Sequence, residues 1–305
     1  MLDRLTSLEI FARVAATGSL SAAARAMGLS QTMVTKHVTA LEARLGTKLF
    51  HRTTRRLSIT DAGRLYLESS ERILAEMEAA DAAVSDERVA PRGLLRLNVP
   101  VVFGMRQIAP RLPEFAERYP EVTIELGLND RQVDLAEEGW DLVIRIGKLN
   151  ESSLVARRLA PNRIVLCAAP SYLAKHGTPR TLADLASHNC LGYTLQQQSS
   201  VDEWLFGTDG DIRVRISGNL RANNGDALCA ATVGGQGLSY QPTFIVADDV
   251  RAGRLVIVPL DQPDRLSAVH AVYLPDRRPP AKVRAFIDFL AEHFSPEPPW
   301  DRGLF

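Results

Sequence analysis
The chain has 305 residues, enough for two or three domains, and 46% of them are hydrophobic, so each domain can bury a sizeable core. Its 36 Lys and Arg balance 36 Asp and Glu. Cys167, Cys190 and Cys229 are odd in number, widely spaced and lack a CxxC pair, which excludes a disulfide framework and reads as reduced, mostly buried thiols. Met1 to Ile10 carries Asp3, Arg4 and Glu9, which excludes a secretory leader there, and no apolar run approaches the ~20 residues that span a bilayer. A cytoplasmic protein without membrane contact is expected.

The neutral total hides an asymmetry. Residues 1–66 hold ten Lys or Arg against Asp3, Glu9, Glu42 and Asp61, so this segment is +6 and the remainder is −6. A basic end on a neutral chain is the electrostatic footprint of a nucleic-acid module.

From the N-terminus, a helix is predicted over about Asp3 to Thr17, burying Leu5, Leu8, Phe11, Ala12 and Ala15. Leu20, Ala23, Ala24 and Met27 recur at i, i+3, i+4 and i+7 and define a second short helix. Gly28 ends it, Leu29 plugs the turn, and Ser30 is a good N-cap for a third helix. That helix places Val34, Val38, Leu41 and Leu45 on one apolar face and turns Thr32, Thr35, Lys36 and Thr39 the other way. The outward face is short, rich in hydroxyls and free of carboxylates, as a helix entering a major groove requires. His51, Arg52, Arg55 and Arg56 then cluster between Phe50 and Leu57, where two short strands would form a basic wing against phosphate or the minor groove. Ser30, Gln31, Thr32, Thr35, Lys36, Arg52, Arg55 and Arg56 are the candidate DNA contacts. A pair of amphipathic helices with a solvated face is the plain alternative, and the charge asymmetry favours the reader.

Thr60 can cap a long helix running to about Arg88, which turns acidic and repeats Leu67, Leu74, Met77 and Val84. Alone it would over-expose that stripe, so pairing with a second copy is expected. Val89 to Gly93 breaks it. Beyond the break, strands at Leu94–Val99, Thr123–Leu128 and Asp141–Ile146 alternate with helices at Ile108–Tyr119 and Gln132–Glu138. The alternation predicts parallel α/β sheets. The pattern restarts after Ile164–Ala168 with a helix at Pro170–Lys175, and Ala268–Tyr273 with the helix Pro280–Phe294 return to the first lobe.

Several runs carry a family resemblance: Gly18-Ser19-Leu20, Ala22-Ala23-Ala24, Leu29-Ser30-Gln31, Val34-Thr35, Leu41-Glu42, Leu45-Gly46, Leu49-Phe50-His51-Arg52 and Leu57 to Gly63. Further along are Val133-Asp134-Leu135, Asp141 to Gly147, Leu166 to Pro170, Asn223-Asn224-Gly225 and Gly234 to Leu238. In order and spacing the chain resembles a LysR-type transcriptional regulator. The resemblance implies an α/β fold with an all-α N-terminal part: a winged helix-turn-helix domain (1–60, motif about 19–38), a linker helix for dimerisation (61–90), and an effector-binding domain (91–305). That last domain would be two-lobed and similar to type 2 periplasmic-binding proteins, with lobe I at about 91–165 and 265–305 and lobe II at about 166–264. It further implies binding to double-stranded DNA at an interrupted palindrome in a promoter. Self-assembly into a dimer and then a tetramer, a small organic effector, and RNA polymerase as a further candidate partner also follow. The family often carries Pro, Ser or Ala at the positions of Thr32 and Met33 and Ser at that of Thr35, so the operator sequence is this chain's own.

Neither a catalytic nor a metal site is expected, and no cofactor. The six histidines lack HxH or HExxH spacing, Gly237-Leu238-Ser239-Tyr240-Gln241 misses the last Gly of a nucleophile elbow, and Gly234-Gly235-Gln236-Gly237 misses the later Gly of a dinucleotide loop. Open α/β sheets bind ligands beyond the carboxyl ends of their strands, so the candidate effector contacts are Pro100, Val101, Val102, Phe103, Arg145, Gly147, Gln197 and Asn224. Many relatives hold a ligand carboxylate with a hydroxyl in the first segment. Val101-Val102-Phe103 stands there instead and favours a more apolar or aromatic effector, unless these three simply pack the interior. The alternatives are a redox-responsive regulator, or a solute-binding protein or enzyme that uses the cleft.

Overall fold
Asp3 starts the first helix, α1 (Arg4–Thr17), its carboxylate accepting from Thr6 N at 2.8 Å. In the computed structural model the described residues are 3–52, 57–84, 90–131, 133–149, 153–195, 200–275 and 279–305. The chain divides into two units, the first ending at residue 89 and the second spanning 90–305.

In the first unit, α2 (Leu20–Ala26) is capped by Ser19 and α3 (Gln31–Leu45) by Ser30, whose hydroxyl accepts from Met33 N at 3.2 Å. Between them the chain turns through Gly28 at φ +65°, with Gly28 N donating to Arg25 O and Leu29 N to Ala24 O. This pair of bonds closes the helix end and needs the left-handed region that glycine enters freely. A hairpin follows, β1 (Phe50–Arg52) antiparallel to β2 (Leu57–Ile59), with His51 opposite Ser58. Thr60 then caps α4 (Asp61–Val84): its hydroxyl accepts from Gly63 N and donates to Lys48 O. One apolar cluster holds the unit, built on Phe11, Val14, Ala23, Val34, Val38 and Leu49.

The second unit is built around one seven-stranded sheet, with two-stranded pairings at residues 192–193 with 221–222 and 203–206 with 212–215 beside it. Its elements run β3 (Gly93–Val99), α5 (Val101–Phe103), α6 (Leu112–Arg118), β4 (Val122–Leu128), α7 (Leu135–Glu138), β5 (Leu142–Ile146) and β6 (Val155–Ala168). Next come α8 (Pro170–His176), β7 (Gly192–Tyr193), β8 (Glu203–Phe206), β9 (Ile212–Arg215), β10 (Arg221–Ala222) and α9 (Gly225–Val233). The chain finishes with β11 (Ser239–Pro242), α10 (Thr243–Arg251), β12 (Val256–Ile257), β13 (Arg265–Tyr273) and α11 (Ala281–Phe294). The main sheet has the order β11-β6-β13-β5-β3-β4, with β12 also on β6. At its centre Leu97 is paired with Leu126 on one side and Leu142 on the other, all on strands whose inner faces are apolar. The 14-residue β6 pairs with β13 as far as Ile164 and with β11 from Ile164 to Cys167, so one strand runs through both lobes.

The structure corrects four expectations. The sheet is mixed: β3 lies parallel to β4 and β5, whereas β13, β6, β11 and β12 pair antiparallel. Direction is set by how the returning chain enters the sheet, which a short strand does not record in its own residues. The helix expected from Ile108 begins instead at Val101 and reaches Arg118 through a π turn at Gly104–Ile108 and a 3-10 turn at Ala109–Arg111. These irregular turns accommodate Pro110 without breaking the path of the chain. On α3, Leu45 is 36% exposed, while His37 and Glu42 are buried with Val34, Val38 and Leu41. On α1, Ile10 and Val14 are buried, and Leu5, Ala12 and Ala15 only half-buried.

Gly63 shows how tightly α4 enters. A Cβ there would collide with Leu49 O and come within 2.7 Å of Ile59 Cγ1. Alanine normally stabilises a helix interior by about 1 kcal/mol over glycine. Gly63→Ala is expected to reverse that sign and cost about 1–3 kcal/mol, read from urea unfolding of the full chain. A stabilised variant would show that the hairpin yields to the added methyl.

Candidate functional site
The helix α3 is fastened from behind by polar groups. His37 Nδ1 lies 2.9 Å from Ser7 Oγ, which donates to Asp3 O, tying α3 to α1. Glu42, 3% exposed, accepts from Leu49 N at 3.0 Å and Phe50 N at 3.3 Å on one oxygen and from Lys48 Nζ at 2.9 Å on the other. The carboxylate thus closes the polypeptide between helix and hairpin. Burial pushes its pKa up, but the hydrogen bonds from Lys48, Leu49 and Phe50 outweigh that and hold it below the ordinary value.

The opposite side of α3 is free. Gln31, Thr32, Met33, Lys36 and Thr39 are exposed and Thr35 is half-buried. Thr35 Oγ1 donates to Gln31 O at 2.8 Å, so its hydroxyl proton is engaged within the helix and its lone pairs remain. Ser30 is exposed; its hydroxyl oxygen accepts from Met33 N at the cap, which leaves its O–H to donate. Arg52 ends β1; its side chain, with Arg55 and Arg56, lies outside the described residues.

In the second unit a cavity of about 300 Å³ opens at the carboxyl ends of β3 and β5. Pro100, Val102, Phe103, Arg145 and Gly147 line it. Val101 does not: its N–H donates to Asp130 Oδ1 at 2.9 Å, and only its neighbours reach the cavity. Phe103 is fully buried and makes edge contacts with Phe244 (5.1 Å between ring centres) and Trp300 (5.5 Å), so it is chiefly a core residue. Asn224 is the N-cap of α9, accepting from Ala227 N, and the adjacent Gly225 is what lines the cavity. Gln197 lies outside the described residues.

The far wall was not anticipated. Asn162, Tyr193, Tyr240, Gln241, Arg265 and Ser267 supply its polar groups. Asn162 and Ile164 lie two apart on β6, as do Arg265 and Ser267 on β13, so one face of each strand lines the space. The signal available in the sequence was a polar residue at alternate positions of an apolar strand. Asn162 donates to Ser267 Oγ at 2.8 Å while its buried Oδ1 has no partner among the described residues. Burial, helped by the Asp130 carboxylate, pushes the Tyr193 phenol up to about 12, and burial raises Tyr240 as well. Both therefore stay neutral hydrogen-bond donors at physiological pH. Arg145 donates to Val133 O at 3.2 Å, which fixes its guanidinium against the wall and leaves further N–H groups.

The three thiols are buried, and burial pushes each up to about 12. Cys167 lies against Ser239 and Cys229 against Asp249, an anion that disfavours a thiolate further. Reactive sensor cysteines need the reverse, an exposed thiol beside positive charge.

Known proteins carry the same two modules. Residues 5–64 match the model of the bacterial regulatory helix-turn-helix proteins of the lysR family, and residues 88–295 match the LysR substrate binding domain. The chain belongs to the LysR family. It is 34% identical to the HTH-type transcriptional regulator CrgA of Neisseria meningitidis over 93% of this chain and 95% of that protein. Against the HTH-type transcriptional regulator DmlR of Escherichia coli it is 35% identical over 96% and 95%. The solved structure of CrgA superposes with a TM-score of 0.62 at 32% identity, covering 97% of this chain and all of that one. Full-length AphB, a Vibrio cholerae virulence activator, gives 0.57 at 27% identity, covering 95% and 99%. This LysR-type chain is a DNA-binding transcription regulator with an effector-binding domain, and not an enzyme. No helix among its described residues is long and apolar enough to cross a membrane.

The Glu42 clasp carries a pH signature. A carboxylate with a lowered pKa adds stability that is complete above its ordinary value of 4.5 and is lost as pH falls through the folded value. Glu42→Gln should therefore cost about 1–3 kcal/mol near pH 7, and the gap to the parent should close under acid conditions, where the parent's own Glu42 is protonated. Urea unfolding across that range measures both; a gap independent of pH would assign the loss to shape rather than charge.

Proposed function
We propose that the regulator acts in the cytoplasm as a homodimer, assembling further into a tetramer, and grips an interrupted palindrome in promoter DNA. The supporting observation is the exposed, carboxylate-free face of α3 opposite its buried stripe. Two copies of this helix, about 34 Å apart, would enter successive major grooves. The apolar side chains left exposed on α4, Leu65, Ile73 and Met77, suit pairing of that helix with its copy. RNA polymerase is the partner through which such a complex would act on transcription. Ser30, Gln31, Thr32, Thr35 and Lys36 serve as DNA contacts, with Arg52, Arg55 and Arg56 on phosphate.

The effector is a small organic molecule held in the cavity at the strand ends. Val102, Leu205, Phe244 and Ile245 offer an apolar bed, and Arg145, Tyr193 and Gln241 a polar end, which fits an aromatic or otherwise apolar body carrying one polar group. Because β6 runs through both lobes, filling the space between lobes would strain or relax a shared sheet and bias the population of closed forms. The domain limits that go with this reading are 1–60, 61–90 and 91–305.

Two measurements test it. Lys36→Ala should weaken binding to DNA flanking the regulator's gene by about 1–3 kcal/mol if a base contact is lost, seen as a shift of the titration midpoint in electrophoresis. Unchanged binding with an intact fold would remove α3 from the role of reader. Once a thermal-shift screen finds a ligand, Tyr193→Phe should lower its affinity about tenfold by deleting one hydrogen bond. Calorimetry showing equal affinity would move the ligand elsewhere.

A further inference from the structure
We infer that Met33 is a specificity-determining residue of this regulator and that it selects thymine through the 5-methyl group; the inference rests on α3 being the reading helix. Met33 is the third residue of α3 and 43% exposed. It takes no part in the apolar cluster that holds the helices together. The other strongly exposed apolar side chains of this unit lie elsewhere, Leu45 at the far end of α3 and Leu65, Ile73 and Met77 on α4. Met33 therefore does nothing for the fold that an alanine would not do, yet it sits in the first turn, the part of such a helix that reaches base edges. It precedes Lys36 by three residues, so the two side chains are neighbours on one flank.

The chemistry then narrows the base. Only thymine shows a methyl group in the major groove. An unbranched thioether chain can wrap such a group without a fixed shape of its own. The neighbouring polar groups point to the same base pair. Thr35 has given its proton to Gln31 O, so it meets DNA as an acceptor and suits the amino group of adenine or cytosine. Gln31 is exposed and has the donor and acceptor that adenine matches. A thymine–adenine pair presents the methyl and the adenine amino group in one groove, with thymine O4 between them, so Met33 can read one strand while Gln31 or Thr35 reads the other.

The test removes only the methyl. Duplexes are selected from a randomised library with the full chain, and each thymine of the winner is replaced singly by uracil. At one thymine in each half-site, replacement should weaken the parent about three- to tenfold, by fluorescence anisotropy. Met33→Ala should bind the thymine duplex about as weakly as the parent binds the uracil duplex, and should not distinguish the two. Its unfolding midpoint should match the parent's, since the side chain is exposed. Equal binding of every uracil duplex by the parent, or a preserved thymine preference in Met33→Ala, overturns the inference while leaving α3 as the reader. If Thr35→Ala and Lys36→Ala also bind the selected duplex like the parent, or no sequence is enriched, the reading beneath it fails and the inference with it.

Discussion

One buried carboxylate fixes the geometry on which DNA reading depends. Glu42 is nearly inaccessible, and its two oxygens are shared between Lys48 and the amides of Leu49 and Phe50. An ionised group in such a place costs several kcal/mol in desolvation and repays it only when its lone pairs are filled. They are filled here by the chain that leaves the reading helix and enters the hairpin. Helix and hairpin are therefore joined by a bond that tolerates little change of angle. His37 does the same on the other flank, through Ser7 to the start of the first helix. A reader must present its side chains in one orientation, and polar bonds of fixed geometry specify orientation better than apolar contact does.

The second unit solves a different problem, keeping a space open. Its cavity lies where strands end and the chain turns away, beside a helix that begins directly at Val101. The π turn that follows shifts the register of that helix and aims Arg106 at Asp226, 3.0 Å away at the start of α9. Edge contacts of Phe103 with Phe244 and Trp300 close the floor. Among the wall groups the Tyr193 phenol is kept neutral, and the Arg145 guanidinium is bonded to Val133 O. The buried thiols add no reactivity to this space, because the same burial that packs them keeps them protonated.

Much of the reader was legible because its rules are local. Ser30 before a run with Val34, Val38 and Leu41 places a helix, and Gly28 places the turn before it. The errors came from treating polarity as exposure. The apolar stripe left out His37 and Glu42, yet both are buried because partners elsewhere in the chain satisfy them. Leu45, by contrast, lies beyond the elements that could cover it and stays exposed. In the second unit, strand positions could be read, but not their direction, which depends on how each connection returns to the sheet rather than on the residues of the strand. That is why the strand-end rule named Arg145 and Gly147, which line the cavity, but not Tyr240, Arg265 and Ser267, which arrive on strands running the other way, nor Asn162, which lies within the long β6 rather than at its end. Asn224 caps its own helix through Oδ1, and its neighbour Gly225 lines the cavity.

The division of charge gives the two chemistries their order. With residues 1–66 at +6 and the remainder at −6, attraction to a phosphate backbone is confined to one end of the chain and opposed by the rest. At long range the field steers that end toward DNA, and the acidic remainder discourages any other approach. This attraction carries no sequence information, because every duplex offers the same phosphates. Selection must then come from a face that has almost no charge. On α3 that face holds a glutamine, three threonines, a methionine and one lysine, groups too weak to bind a duplex alone and sensitive to which base edge they meet. Binding and reading are thus separated within one small unit, and salt should act on the first far more than on the second.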